Sequence, residues 1–110
     1  MNHPEQGELW WAEAEDKRRP VLVVTRTDAI GVLNRIIVAP VSRTIRGIPT
    51  EIRLGADDGV EVECVASFDN LQPINRVLLT KRVGMLAGGR RREICLALDA
   101  LADCQASGVR

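Results

Sequence analysis

Histidine is almost absent from this chain, because His3, in a polar N-terminal segment, is the only one among 110 residues. Triads of serine, histidine and aspartate, ribonuclease mechanisms that use a pair of histidines, and His-rich metal sites all need imidazoles. The sequence therefore argues against these three kinds of site. The three cysteines have no C-x-x-C spacing, so they indicate neither a zinc site nor a disulfide framework.

Long apolar runs are also missing. No run approaches the roughly 20 residues that cross a bilayer, and the N-terminus MNHPEQGELWW lacks the order of a secretory signal. We therefore expect a soluble, cytoplasmic protein that does not bind a membrane. Carboxylates are plentiful, but no spacing gathers them around an ion, and no glycine-rich nucleotide motif is present. No metal and no other cofactor is predicted.

Arginine is the residue in excess. The net charge is zero, which argues against a protein that coats DNA without sequence preference. Thirteen of the fifteen cations are nevertheless arginine, whose planar guanidinium binds phosphate through two parallel hydrogen bonds. A GC-rich coding bias explains the same excess equally well.

Six apolar or alternating segments predict β-strands, and they span residues 7–15, 19–26, 35–41, 50–54, 64–68 and 79–86. The first two should form a hairpin with a polar tip at 15–18. Pro20 is expected to be the first residue of the second strand, because proline cannot donate to a ladder. Residues 27–33 and 42–47 are predicted as loops, and 55–59 as a turn.

One amphipathic helix is predicted from about Arg90 to Asp103. Its buried face has helical spacing and consists of Ile94, Ala97, Leu98 and Leu101. Short strands and one helix together predict a mainly β protein, a small and partly open barrel with a C-terminal α-helix. Residues 7–104 should form this single domain, between a flexible N-terminus at 1–6 and a flexible tail at 105–110.

Arginine and hydroxyl groups occur together at two strand ends. Arg18 and Arg19 enter the second strand, and Ser42, Arg43 and Thr44 follow the third. When the 2′-hydroxyl of RNA attacks its own phosphate, a guanidinium and a hydroxyl donor can stabilise the charge on the phosphoryl oxygens without a metal. The alternative is that both sets are polar residues that flank loops.

Five motifs follow one another between about Gly7 and Leu101: GELWW, RRPVLVV, IVAPVSRTIRGIPTE, FDNLQPI and RVGML. In this order they resemble the MazF/PemK family of toxin endoribonucleases of type II toxin–antitoxin systems. The resemblance implies an SH3-like barrel, a homodimer, and metal-independent, sequence-specific cleavage of single-stranded RNA. It also implies a cognate antitoxin protein as the inhibitor.

The resemblance assigns two catalytic roles. The family's catalytic arginine falls on Arg19, which would stabilise the phosphate charge and take part in proton transfer. Its catalytic hydroxyl falls on Ser42, where many relatives carry threonine, and would orient the scissile phosphate. Because arginine is normally protonated, its electrostatic role is the firmer of the two.

Six further residues are candidates for RNA contacts. Asn70 and Gln72 lie in the matching D-N-x-Q block and could read base edges, although a turn that bonds its own backbone explains them equally well. The other candidates would hold the RNA backbone or are simply solvated, and they are Arg18, Arg43, Thr44 and Arg46.

The tip of the first hairpin departs from the family. Relatives often carry a longer Gly/Ser-rich loop over the site, where this chain has only residues 15–18. The general base is therefore left open, with Glu13, Glu15 and Asp16 as candidates. Two other functions stay as alternatives: a gyrase-poisoning toxin of the same fold, and a non-catalytic SH3-like binding module.

Overall fold

The computed structural model describes residues 3–14 and 16–102. Its strands, in chain order, are β1 Glu8–Ala14, β2 Lys17–Val23, β3 Arg35–Ser42, β4 Glu51–Leu54, β5 Cys64–Ser67, β6 Gln72–Asn75 and β7 Leu79–Met85. The helices are α1 Thr27–Ile30 and α2 Arg92–Ala102. The predicted class, mainly β with a C-terminal helix, is confirmed.

All paired strands are antiparallel and follow the order β4-β5-β3-β2-β1-β7, with β6 beside β3. The central strand β3 changes partner along its length. Its first half, from Arg35 to Val38, pairs with β6, whereas Val41 and Ser42 pair with β5. This change of partner lets the sheet curl into a half-barrel instead of lying flat.

Two apolar clusters lie on the two faces of the sheet, as the alternation of strand side chains requires. Leu22 belongs to the cluster that α2 covers, whereas Val21 and Val23 belong to the other. From α2, Ile94 and Ala97 are buried. Leu101 was expected on the same face, but it is 41% exposed, so the buried stripe is shorter than predicted.

Three local predictions were wrong. Pro20 is the fourth residue of β2 and not the first; it is tolerated because β3 pairs with β2 only from Val21 onward, so the strand has a free edge at Pro20. Strand β6 was missed, because it has four residues and one of them is Pro73. Residues 27–33, predicted as a loop, include the single turn of α1.

The ends of the chain can be compared with the expected boundaries only in part. The Gln6 N–H donates to Thr27 Oγ1 at 3.0 Å, and its side-chain Nε2 donates to the carbonyl of Val24 at 2.9 Å. Gln6 is therefore attached to the barrel. The expected tail at 105–110 lies outside the described residues. Within the described part of the chain, no helix is long and apolar enough to cross a membrane.

A buried ion pair joins the turn after β4 to the turn that precedes α2. Asp58, which is 2% exposed, accepts Arg90 Nη1 at 2.9 and 2.8 Å on its two oxygens. It also accepts the N–H groups of Gly55 and Ala87. A Cβ at Gly84 would overlap the carbonyl oxygen of Asp58, so only glycine permits this close approach.

Candidate functional site

Four predicted site residues line one groove, which we call the Arg19 groove. It has a volume of about 570 Å³ and is lined by Arg19, Ser42, Asn70 and Gln72 together with Pro40, Val41 and Ser67. These residues come from β2, β3, β5, β6 and the turn Phe68–Asn70. Two strand ends and one turn that are distant in sequence therefore meet at one surface.

Strand register explains why Arg19 meets Ser42. Val21 lies opposite Pro40, and Val23 lies opposite Val38. If this register is continued by two residues beyond Val21, Arg19 falls opposite Ser42. Residues that are opposite in an antiparallel pair share a face. The two candidates for catalysis therefore belong to the same face of the sheet.

The Arg19 groove offers one free cation and one hydroxyl donor. Arg19 is exposed, and within the described residues its guanidinium makes no hydrogen bond or ion pair. Ser42 Oγ accepts the N–H of Thr44 at 3.0 Å, so the hydroxyl proton is left to donate elsewhere. A phosphate placed between the two residues would meet charge from one side and a donor from the other.

The opposite wall of the Arg19 groove is polar as well. Asn70 Nδ2 donates to Ser67 Oγ at 2.9 Å. Gln72 begins β6 and is exposed. Ser67 was not among the predicted site residues. The signal that could have identified it is a hydroxyl at the end of a predicted apolar strand, directly before the Phe-Asp-Asn block.

Arg18 and Arg43 lie outside the Arg19 groove. The Arg18 guanidinium stands over the ring of Trp11, 4.6 Å from its centroid, and its Nε is 3.6 Å from Glu13 Oε2. Arg43 lines a second groove of about 580 Å³, which also contains Trp11 and Cys64. We call this second one the Trp11 groove. Arg18 alternates with Arg19 along β2, and Arg43 directly follows Ser42 at the end of β3, so both arginines lie away from the Arg19 groove.

The loop after β3 carries Thr44 and Arg46 and is held by a buried carboxylate. Glu51 Oε1 accepts the N–H groups of Arg46 and Gly47, each at 3.0 Å, and the Glu51 side chain is 2% exposed. Its Oε2 lies 3.8 Å from Arg46 Nη1 and has no hydrogen bond. Sequence reasoning gave no role to Glu51. The structure shows that it fixes the loop next to Ser42.

Of the candidate general bases that the structure describes, neither Glu13 nor Asp16 lines the Arg19 groove. Glu13 accepts Thr80 Oγ1 at 3.0 Å and pairs with Arg18 on the other face. Asp16 lines a shallow cleft at the hairpin tip, and Glu15 lies outside the described residues. Within residues 3–14 and 16–102, no carboxylate lines the groove, and no group of three or more His, Cys, Asp or Glu is placed to hold a metal.

Comparisons with known proteins agree with one another. Residues 5–102 match the family model of the PemK-like, MazF-like toxins of type II toxin–antitoxin systems. The chain is 41% identical over 103 residues to a Mycobacterium tuberculosis protein named "Probable endoribonuclease MazF5". The aligned residues cover 92% of this chain and 94% of that protein.

Solved structures give the same result at the level of the fold. The M. tuberculosis toxin MazF-mt6 superposes with a TM-score of 0.80 at 32% identity, over 87% of this chain and 96% of that one. A MazE-MazF crystal structure from Deinococcus radiodurans superposes with a TM-score of 0.75 at 25% identity, over 93% and 97% of the two chains.

Proposed function

This chain belongs to the PemK-like, MazF-like toxin family of type II toxin–antitoxin systems, and we propose that it is an endoribonuclease. It cleaves single-stranded RNA at short sequences, in the cytoplasm and without a metal ion. The observation that carries this proposal is that Arg19, whose guanidinium makes no hydrogen bond or ion pair within residues 3–14 and 16–102, lines the same groove as the Ser42 hydroxyl. The name of the M. tuberculosis relative supports the activity.

The proposed reaction is an internal transfer of the phosphoryl group. The 2′-oxygen forms a bond to phosphorus and loses its proton to water, while the bond from phosphorus to the 5′-oxygen breaks. Arg19 stabilises the charge on the phosphoryl oxygens and gives a proton to the leaving 5′-oxygen, and the proton that was released to water restores its guanidinium. Ser42 donates a hydrogen bond that orients the phosphate. The products are a 2′,3′-cyclic phosphate and a free 5′-hydroxyl.

The structure suggests how the other candidates share the RNA. Asn70 and Gln72 line the Arg19 groove, so we assign them to base edges. Thr44 and Arg46 lie on the adjoining loop and are assigned to the RNA backbone. The remaining two, Arg18 and Arg43, would contact only RNA that extends past the Arg19 groove to the other face.

Two protein partners belong to the proposal. One is a cognate antitoxin, as the MazE-MazF structure from D. radiodurans suggests. The other is a second copy of this chain. An apolar surface supports self-association, because Val32 is 82% exposed, Val77 is 75% exposed and Leu33 is 41% exposed. Arg76 Nη1 donates to the carbonyl of Ile30 at 3.1 Å and the Arg76 N–H donates to the carbonyl of Asn34 at 3.0 Å, so the two chain segments that carry these apolar residues are neighbours.

Self-association can be tested by charge. Val77→Arg places a cation in the apolar surface and should convert a dimer into a monomer, as measured by light scattering after gel filtration. Val62→Arg is the matched control, because Val62 is also exposed but lines the Trp11 groove. A dimer that survives Val77→Arg at micromolar concentration, or a parent protein that is monomeric, would contradict this part of the proposal.

RNA cleavage in EDTA tests the central proposal. The protein should cut a long RNA into discrete fragments that end in a 2′,3′-cyclic phosphate, as read by end mapping. Arg19→Ala should lower the cleavage rate about 100- to 1,000-fold, since it removes a preorganised donor to the transition state. Arg26→Ala removes an exposed arginine from the far end of the hairpin and should cut as the parent does.

Four results would contradict the proposal. Cleavage that needs magnesium excludes the metal-independent mechanism, and full activity of Arg19→Ala excludes the assigned residue. Intact RNA together with inhibited gyrase supports the gyrase-poisoning alternative. Intact RNA with neither activity supports the binding module.

A further inference from the structure

Ser67 and Asn70 form a hydrogen-bonded pair on the wall of the Arg19 groove. Ser67 is 4% exposed, whereas Asn70 is exposed, and both residues line the groove. Asn70 Nδ2 donates to Ser67 Oγ at 2.9 Å. The pair therefore has one fixed member in the wall and one member that can meet a ligand.

The backbone around this pair is held in place by Thr50, which directly precedes β4. The N–H of Phe68 donates to the carbonyl of Thr50 at 2.9 Å, and Thr50 Oγ1 donates to Asp69 Oδ2 at 2.6 Å. Phe68 is fully buried. With the backbone fixed, the remaining freedom of Asn70 is rotation about its two side-chain bonds. Among the described residues, the hydrogen bond to Ser67 is the side-chain contact that restricts this rotation.

We infer that Ser67 sets a base preference of the groove by holding the Asn70 carboxamide with its oxygen toward the RNA. This inference rests on the proposed function. With Nδ2 turned to Ser67, Asn70 Oδ1 can accept from the exocyclic amino group that adenine carries at C6 and cytosine carries at C4. Guanine and uracil carry a carbonyl at the corresponding C6 and C4 positions, which would set two acceptors against each other. A nucleotide near the cut whose C6 or C4 substituent faces Asn70 is therefore adenine or cytosine.

Cleavage of an RNA library that is randomised around the cut tests this inference. The parent protein should favour adenine or cytosine at one position, as read by sequencing of the fragment ends. Ser67→Ala should lower the discrimination at that position about 5- to 10-fold and leave the preferences at other positions unchanged. Asn70→Ala should abolish it, and Ser67→Ala should then add nothing, because Ser67 acts through Asn70.

Thr25→Ala is the matched control. It removes a hydroxyl that accepts the N–H of Ile37 at 2.7 Å, at the end of β2 away from the groove. This variant should keep the parent's base pattern. It separates loss of the Ser67 hydroxyl from loss of a hydroxyl in general.

Several outcomes would overturn the inference. A folded Ser67→Ala protein with the parent's base pattern does so, and so does a loss of cleavage that is equal at every sequence. If Ser67→Ala does not fold, the exposed Asn70→Ala variant decides, because a retained preference for adenine or cytosine contradicts the proposal. A parent protein that cuts no RNA overturns the proposed function, and this inference with it.

Discussion

Arg90 and Arg19 lie in two regions of the molecule that differ in the hydrogen bonds their guanidinium groups make within the chain. Arg90 donates to Asp58, to Glu93 and to the carbonyl of Arg53, so its charge and its N–H groups are matched within the chain. Arg19 is exposed and makes no such contact within the described residues. A matched arginine stabilises the fold, whereas an unmatched one is available to a phosphate. The comparison therefore contrasts an arginine that is bound within the chain with one that we propose acts on RNA.

The largest expected effect of the comparison is on stability. Arg90→Ala should lower the free energy of unfolding by about 3–5 kcal/mol, because it leaves the buried Asp58 carboxylate without its cation. Arg19→Ala should change it by less than about 0.5 kcal/mol, as a surface substitution does. Urea unfolding followed by tryptophan fluorescence measures both. Equal losses for the two variants would break the distinction.

A second variant tests the packing that supports the Asp58 pair. Gly84→Ala should cost about 1–3 kcal/mol, since the added Cβ overlaps the Asp58 carbonyl and forces the turn away from β7. Gly31→Ala is the control, because no atom lies within 4 Å of its added Cβ. The same urea experiment measures both. Wild-type stability of Gly84→Ala would show that the turn moves freely.

Thiol labelling tests whether the buried region around the Asp58–Arg90 ion pair includes Cys64. Burial raises the pKa of Cys64, with a smaller contribution from Asp58, while Arg43 lowers it. Cys64 should therefore react with a thiol reagent at least about tenfold more slowly than the exposed Cys95. Peptide mapping by mass spectrometry gives both rates. Comparable rates would contradict the burial of Cys64.

The same shift has a consequence for stability at alkaline pH. Because the pKa of Cys64 is raised in the folded chain, the thiol ionises in the unfolded chain first as the pH rises. The un-ionised Cys64 thiol thus makes its full contribution to the free energy of unfolding below the ordinary pKa of a thiol. This contribution is lost as the pH rises toward the pKa that Cys64 has in the folded chain. Cys64→Ala should weaken this alkaline loss.

The smallest effect concerns salt. Binding of a 2′-deoxy oligonucleotide, which cannot be cut, should weaken with salt, and Arg19→Ala should reduce the log–log slope by about 0.7, the value for one phosphate on a single strand. Arg18→Ala should reduce it less, because Arg18 is engaged with Trp11 and Glu13. A larger change for Arg18 would place the main phosphate contact on the other face.

The sequence was sufficient for the features that depend on local pattern. The apolar runs predicted six of the seven strands, and the order of motifs identified the family that the comparisons confirm. The sixth strand in chain order, β6, was missed because its residues carry no strand pattern, and it forms only because Arg35 to Val38 offer it a partner. The sequence of β6 taken alone therefore does not predict this pairing.

The sequence predicted the candidate site only in part, because local pattern does not show which strands become neighbours. Arg19 and Ser42 were predicted to act on one phosphate, and Asn70 and Gln72 were predicted to read base edges; all four line one groove in the structure. That Arg18 and Arg43 face away follows from strand alternation, but the face that carries the groove depends on which strand lies beside β2. Ser67 and Glu51 act through side-chain hydrogen bonds that only the folded chain reveals.

The register between β2 and β3 has a consequence for insertions and deletions. The turn that joins β1 to β2 can change length without moving Arg19, because the apolar residues from Val21 onward fix the register with β3. A residue gained or lost between Arg19 and Val21 would instead turn Arg19 to the face of Trp11. The spacing RPV should therefore tolerate no change in length, while the preceding hairpin turn can vary freely in size.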